Sequence, residues 1–231
     1  MSPRPQRRSS TSDLRERIVA AAWEQIAAEG APALSLRAIA RELGITAPAI
    51  YNYFPRRDDL VTALIIDAYT SLGDSQLAAL ESVPPNDLAG NLQAAGIAYR
   101  QWALKNPQRY QLIFGTPIPG YVAPFEKVLP SGARSLGVLV SAVEALRKAG
   151  RLNVDDFPQV KPGYEEAFAV WKSYGGETDV LSLSVAVLIW SHVHGLVSLE
   201  IVGNLPPFGA DGDALYLYEL SLVKKQFIKA L

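Results

Sequence analysis

Residues 180–199, VLSLSVAVLIWSHVHGLVSL, pass twenty positions without an Asp, Glu, Lys or Arg, and any fold of this chain has to shelter them. A helix of that length can span a bilayer. The run nevertheless contains four serines together with His192 and His194, and Asp179 and Glu200 close its two ends. A buried helix in an all-α core accounts for those polar residues better than a lipid environment does, so no membrane association is expected. The remaining sequence agrees with helices, because no segment sustains strand-like alternation and no hairpin turn signal separates two such segments.

Composition narrows the class further. The chain has 231 residues, 49% of them hydrophobic, which is enough for a sizeable core and too apolar for a disordered chain. It has no cysteine, so disulfides, thiolate metal sites and a cysteine nucleophile are excluded, in keeping with a reducing cytoplasm. The start, MSPRPQRRSSTSD, is basic and rich in Ser and Pro, and it lacks the apolar segment of an export signal. Residues 1–12 therefore read as a flexible basic arm of a cytoplasmic protein. The formal net charge of −1 divides into +4 over residues 1–57 and −5 over residues 58–231. A positive end points to a polyanionic partner for that end alone.

The motif that carries chemistry lies in the positive part. Residues 13–29 place Leu14, Ile18, Ala21, Ala22 and Ile26 on one helical face, ended by Gly30. Then SLRAIARELGITAPAIYNYFPRRDDL, residues 35–60, gives two short helical patterns around Gly44. Ser35 can cap the first and Thr46 the second, with Pro48 in the first turn, where its missing N–H is harmless. Ala40 is small enough for a close crossing, Gly44 allows a left-handed turn, and Ile45 and Ile50 fill a miniature core. Two helices joined in this way form a helix-turn-helix, whose second helix meets the major groove with its first turn. Ala47, Ala49, Tyr51, Asn52 and Tyr53 are left to face outward. Tyrosine hydroxyls and arginines suit phosphate oxygens, an asparagine can pair with adenine, and alanine methyls can touch thymine methyls.

From the first helix to Leu60 the chain resembles the tetracycline-repressor family of bacterial transcription regulators, through SLRAIARELGI, TAPAIYNYFPRRDDL and the aliphatic helix behind them. The resemblance implies a three-helix DNA-binding head over residues 13–57. It implies a larger helical body over residues 58–231 for ligand binding and dimerisation, and a homodimer on a palindromic double-stranded operator. It also implies DNA contacts from Arg37, Thr46, Ala47, Pro48, Ala49, Tyr51, Asn52, Tyr53, Arg56 and Arg57. Positions 47 and 49 often hold polar residues in that family, so alanine there leaves few hydrogen-bonding base readers. Downstream, RYQLIFGTPIPGY and WSHVHGL look like the subgroup marked by Trp and Val-His-Gly in its eighth helix.

In the body, Tyr99, Trp102, Tyr110, Phe114, Phe168, Trp171, Tyr174 and Trp190 fall on helices that, by the resemblance, surround an effector cavity. Aromatic walls suit a mostly apolar small molecule, with His194 or Tyr99 supplying one oriented hydrogen bond. Arg100, Lys105 and Arg109 lie near helix ends, where solvated side chains are the default. Ser184, Leu188, Ser191, Gly195 and Ser198 form a mostly small stripe that would let another helix approach, and Leu220, Val223, Phe227 and Leu231 offer matching spacing on the last helix. Paired across two subunits these stripes would make a dimer interface; alternatively both pack within one subunit. His192 and His194, two residues apart, sit on opposite flanks of a helix and read as satisfied core histidines, not metal ligands. No metal or cofactor is expected, and with no phosphate loop or activated serine the chain is not read as an enzyme. The expected function is a ligand-responsive repressor. Its rivals are an activator or a regulator controlled by a protein partner, and, further off, a small-molecule enzyme.

Overall fold

The structure, a computed structural model, describes residues 9–154, 168–169, 171–172, 178–206 and 212–229, with side chains from residue 13 onward. Most of the expected basic arm, most of the loop and aromatic helix expected over 151–174, Tyr174 and Leu231 lie outside the described residues. The all-α expectation holds. The helices are α1 (Ser9–Glu29), α2 (Leu36–Glu42), α3 (Ala47–Tyr51), α4 (Arg57–Leu80), α5 (Leu88–Lys105), α6 (Pro107–Phe114), α7 (Phe125–Lys148), α8 (Val180–Ile201) and α9 (Asp213–Phe227), with a 3-10 turn over Ala31–Ala33. Among the described residues, the extended pairing is a lone antiparallel bridge between Leu152 and Ile228.

The chain forms two compact units. One comprises residues 1–68 and 108–128, the other residues 69–107 and 129–231. The boundary thus falls inside α4, and 108–128 joins the first unit, which a linear division after residue 57 does not anticipate.

The first unit is built from very short elements with deliberate ends. α1 buries Ile18, Ala21, Ala22 and Ile26, spaced as one helical stripe. Gln25 Oε1 accepts the Ser35 N–H at 2.9 Å, and Ser35 Oγ accepts from the Ala38 N–H at 3.3 Å, which caps α2. α2 ends where Gly44 takes φ 65°, with its N–H donating to Arg41 O and the Ile45 N–H donating to Ala40 O at 2.9 Å. That pair of bonds is the Schellman arrangement, and a side chain at a left-handed C′ position would be strained. Thr46 does not cap α3 with its side chain; its carbonyl receives the Ala49 and Ile50 N–H groups instead. α3 also ends at Tyr51, earlier than its apolar pattern suggests. The Ile50 carbonyl takes both the Tyr53 and Phe54 N–H groups, and Pro55 disfavours helix for Phe54. Asp59 opens α4 by accepting the Arg56 N–H at 3.0 Å.

The second unit has a conventional interior. Leu139, Val140, Val143 and Leu146 of α7 meet Leu183, Val185, Ala186 and Ile189 of α8, with Leu92, Val223, Phe227 and Ile228 around them. α9 approaches α5 at Gly96, where a Cβ would stand 3.0 Å from Leu220 Cδ2, and the Tyr216 hydroxyl donates to Gly96 O at 2.6 Å. α8, long enough and apolar enough to cross a membrane, is in this unit a core helix on one side: Ser182, Leu183, Val185, Ala186, Ile189, Val193 and Val197 are buried.

Candidate functional site

Two places merit description: the outer face of the α2–α3 pair and a cavity in the second unit. In the first, Leu36, Ile39, Ala40 and Ile50 turn inward. Ile50 is the single fully buried side chain of α3 and pins the helix from below, whereas Ile45 is only half-buried. The polar and small residues point the other way. Arg37, Thr46, Ala47, Pro48, Tyr51 and Asn52 are exposed, and Ala49 and Tyr53 are half-buried. Most of the expected contact residues are therefore solvent-accessible, and a helix presented with its first turn free can lie in a major groove.

The two arginines behind this helix are committed unequally. Arg56 is exposed and pairs with the Asp59 carboxylate through Nε at 3.2 Å and Nη2 at 3.1 Å, which lowers the Asp59 carboxyl below its ordinary range. Arg57 is half-buried, and its guanidinium donates to Leu34 O at 3.0 Å, Ala31 O at 3.1 Å and Pro32 O at 3.0 Å. It ties the 3-10 turn to the start of α4, satisfying three carbonyls that the sequence pattern could not reveal as its partners. Further back, Asp67 accepts the Trp23 indole N–H at 2.9 Å and pairs with Arg109, whose guanidinium lies 4.4 Å from the Trp23 ring centroid. Arg109 is thus engaged with α1 and α4 and does not stand free at a helix end.

The second unit contains a cavity of ≈ 40 Å³ lined by Leu92, Leu139, Ile189 and Val223, together with Gln76, Tyr99 and Trp190. Of the aromatics expected around an effector, Tyr99 and Trp190 line it. The Tyr99 hydroxyl and His194 Nδ1 lie 2.7 Å apart, His194 Nε2 is 3.3 Å from Ser198 Oγ, and the Trp190 and His194 rings are 4.7 Å apart. Burial pushes the His194 imidazole below its ordinary pKa, which favours the neutral ring. Phe168 and Trp171 pack on the same apolar cluster, and the Trp171 indole N–H is buried without an acceptor among the described residues. Trp102 turns elsewhere and donates to Ser71 Oγ at 3.0 Å. Tyr110 and Phe114 belong to the first unit, where their rings meet at 5.1 Å. Gln76, Leu92 and Leu139 were not expected here, since nothing but ordinary helical spacing marks them in the sequence.

Several expectations are corrected. Arg100 is not solvated: it is buried, donates to both carboxylate oxygens of Glu200 at 2.7 and 2.6 Å, pairs with Asp213, and lies over the Tyr216 ring. His192 is not in a core; it is exposed and bonds Glu219 at 3.1 Å. Leu220, Val223 and Phe227 are buried inside this chain and so are not an outward stripe. Of the α8 stripe, Leu188 and Ser191 are exposed and Ser184, Gly195 and Ser198 half-buried, and nothing lies within 4 Å of a Cβ built at Gly195. The exposed apolar side chains of these two helices are Leu188 and Leu199, with Val202 just after α8, and Leu215, Leu217, Tyr218 and Leu222.

Comparison with known proteins agrees with this geometry. The family described as bacterial regulatory proteins, tetR family, matches residues 18–64, and that of the tetracyclin repressor-like C-terminal domain matches residues 92–223. The HTH-type transcriptional regulator Rv1816 of Mycobacterium tuberculosis is 33% identical over 205 residues, 89% of this chain and 86% of that protein. Regulator Mb1846 of Mycobacterium bovis matches at the same 33% over 205 residues, again 89% of this chain and 86% of that protein. The solved structure of regulatory protein SCO4313 superposes with a TM-score of 0.74 at 38% identity, over 95% of this chain and 98% of that one. A protein of Saccharomonospora viridis described as a transcriptional regulator, solved with choline, shares the fold at a TM-score of 0.69 and 16% identity, over 95% of this chain and 100% of that one. With a helix-turn-helix under one family match and the helical second unit under the other, the chain belongs to the tetR family of bacterial transcription regulators, DNA-binding proteins and not enzymes.

Proposed function

We propose that this regulator is a cytoplasmic repressor that holds a palindromic operator as a homodimer and releases it when a small, mostly apolar effector binds. The observation that carries the reading is the exposed Thr46–Asn52 surface anchored beneath by buried Ile50. Residues 13–57 would read DNA, and residues 58–231 would bind effector and partner. Base contacts fall to Asn52 and to the Ala47 and Ala49 methyls, with Arg37, Thr46, Tyr51, Tyr53 and Arg56 on phosphates. Arg57 acts through the turn it ties down. Trp190 with Val193-His194-Gly195 would mark the subgroup.

Self-association is supported by the exposed Leu188 and Leu199 of α8, Val202 just after it, and Leu215, Tyr218 and Leu222 of α9, apolar groups that a soluble protein gains by covering. The cavity beside Tyr99 and Trp190 supports effector binding. The implied mechanism is a population shift, in which effector favours a spacing of the two DNA-binding heads that no longer fits successive major grooves. The test is an operator-binding assay with and without metabolite extract, run on the wild type and on Trp190→Ala. Release by extract from the wild type and not from the variant is expected, with equal affinity in its absence. Extract that strengthens binding would indicate an activator instead.

A further inference from the structure

Two buried side chains with polar tips line the cavity of the second unit, Tyr99 and Gln76. Gln76, on α4, is 5% exposed and lines the cavity. Its Oε1 accepts the Ser135 hydroxyl at 3.0 Å, while its Nε2 has no acceptor among the described residues. That Nε2 is not shut away from solvent, and a ligand oxygen standing in the cavity would accept from it. Among the described lining residues Lys224, itself exposed, is the only charged one, and no carboxylate faces the space. That disfavours a cation and suits an anion. The other cation of this region, Arg100, is already neutralised by Glu200 and Asp213, and the Tyr99 hydroxyl is taken by His194. The volume of ≈ 40 Å³ has room for about three water-sized spheres, or roughly 90 Å³ of liquid, the size of a molecule with about six heavy atoms.

We propose that the effector is a short-chain carboxylate. Its alkyl chain lies among Leu92, Leu139, Ile189 and Val223, one carboxylate oxygen accepts from Gln76 Nε2, and its charge is balanced by the Lys224 ammonium. The assignment rests on the reading of this cavity as the effector site, and the test separates the two. Calorimetric titration of the full-length protein would compare butyrate, butanone and butylamine, which are matched in size and differ in charge and acceptor. Butyrate is expected to bind, butanone to bind more weakly, and butylamine not at all. Gln76→Leu should weaken butyrate and butanone alike by about tenfold, the loss of one hydrogen bond to an acceptor. Lys224→Ala, at an exposed position that leaves the fold intact, should weaken butyrate alone. Butylamine binding as tightly as butyrate, no butyrate binding, or unchanged butyrate affinity in both variants overturns the carboxylate assignment. Leu139→Trp, which fills the cavity, should abolish all binding; ligands that bind it as they bind the wild type lie elsewhere, and the cavity itself is then misassigned.

Discussion

The two units spend their charged side chains differently. In the first, ion pairs are at least partly wet: Arg56 and Asp59 have 76% and 30% of their side chains exposed, and Arg109 and Asp67 26% and 42%. The second also has a wet pair, Arg134 and Asp74 at 52% and 54%, but there Arg100 is 9% exposed against Glu200 at 17%, and Glu144 at 11% accepts from the fully buried Ser182 at 2.6 Å. The first unit is made of helices too short to persist alone, α2 with seven residues and α3 with five. Local caps and a few apolar plugs hold it, leaving its polar residues free to meet a partner. The second has long helices whose packing tolerates buried charge where every hydrogen bond is satisfied. A surface that must bind keeps its charges available, whereas a surface that must hold helices together consumes them.

The largest effect should come from breaking the buried network. Arg100→Ala leaves Glu200 without its bidentate partner, and removing one member of a buried pair typically costs about 3–5 kcal/mol. Arg109→Ala, at a more exposed pair, should cost about 1 kcal/mol or less. Chemical denaturation of both variants checks the contrast, and equal losses would erase it. Next comes Ile50→Ala. Truncating a fully buried isoleucine costs about 2–5 kcal/mol, and here it removes the one anchor of α3, so operator binding should disappear together with stability.

How much of this was legible follows from the range of each interaction. The Ser35 cap, the Gly44 turn and the inward Ile50 depend on residues a few positions apart, and the sequence displays them directly. Arg57 reaches carbonyls 23–26 positions away, and Arg100 carboxylates 100 and 113 positions away. Side-chain spacing is silent about such partners, so both arginines looked solvated or DNA-facing. The last helix shows a third kind of limit. Periodicity correctly grouped Leu220, Val223 and Phe227 on one face, yet a period cannot say whether that face meets its own chain or another. Gly96 on α5, set against Leu220, decided it for the interior.

A smaller effect should separate the units by pH. Glu144 is held at about 2, well below the ordinary 4.5, mainly by the Arg147 guanidinium and then by the Ser182 hydroxyl, against the opposing cost of burial. Because the folded carboxyl binds its proton less readily than the unfolded one, its contribution is fully present above 4.5 and is lost as pH falls toward 2. Glu144→Gln should therefore flatten the acid limb of a melting-temperature profile in that window while leaving operator binding at neutral pH unchanged. An acid limb identical to wild type would mean the Ser182 and Arg147 contacts add nothing.

The smallest expected stability change is at the proposed recognition surface, and its smallness is the point. Tyr51 is 37% exposed on α3 and no side-chain hydrogen bond ties it to the other described residues, so Tyr51→Ala should shift stability by no more than about 0.5 kcal/mol. Operator affinity should nevertheless fall for every sequence alike, with a shallower dependence on salt if a phosphate contact is lost. Asn52→Ala should instead cost about 1–3 kcal/mol of preference at a single base pair. Gel-shift titrations at two salt concentrations, alongside thermal melts, read both quantities from the same preparations. If Tyr51→Ala and Asn52→Ala destabilise the protein as strongly as a core truncation, the exposed face is structural after all, and the contrast between a unit that presents its polar residues and one that consumes them fails at its most exposed position.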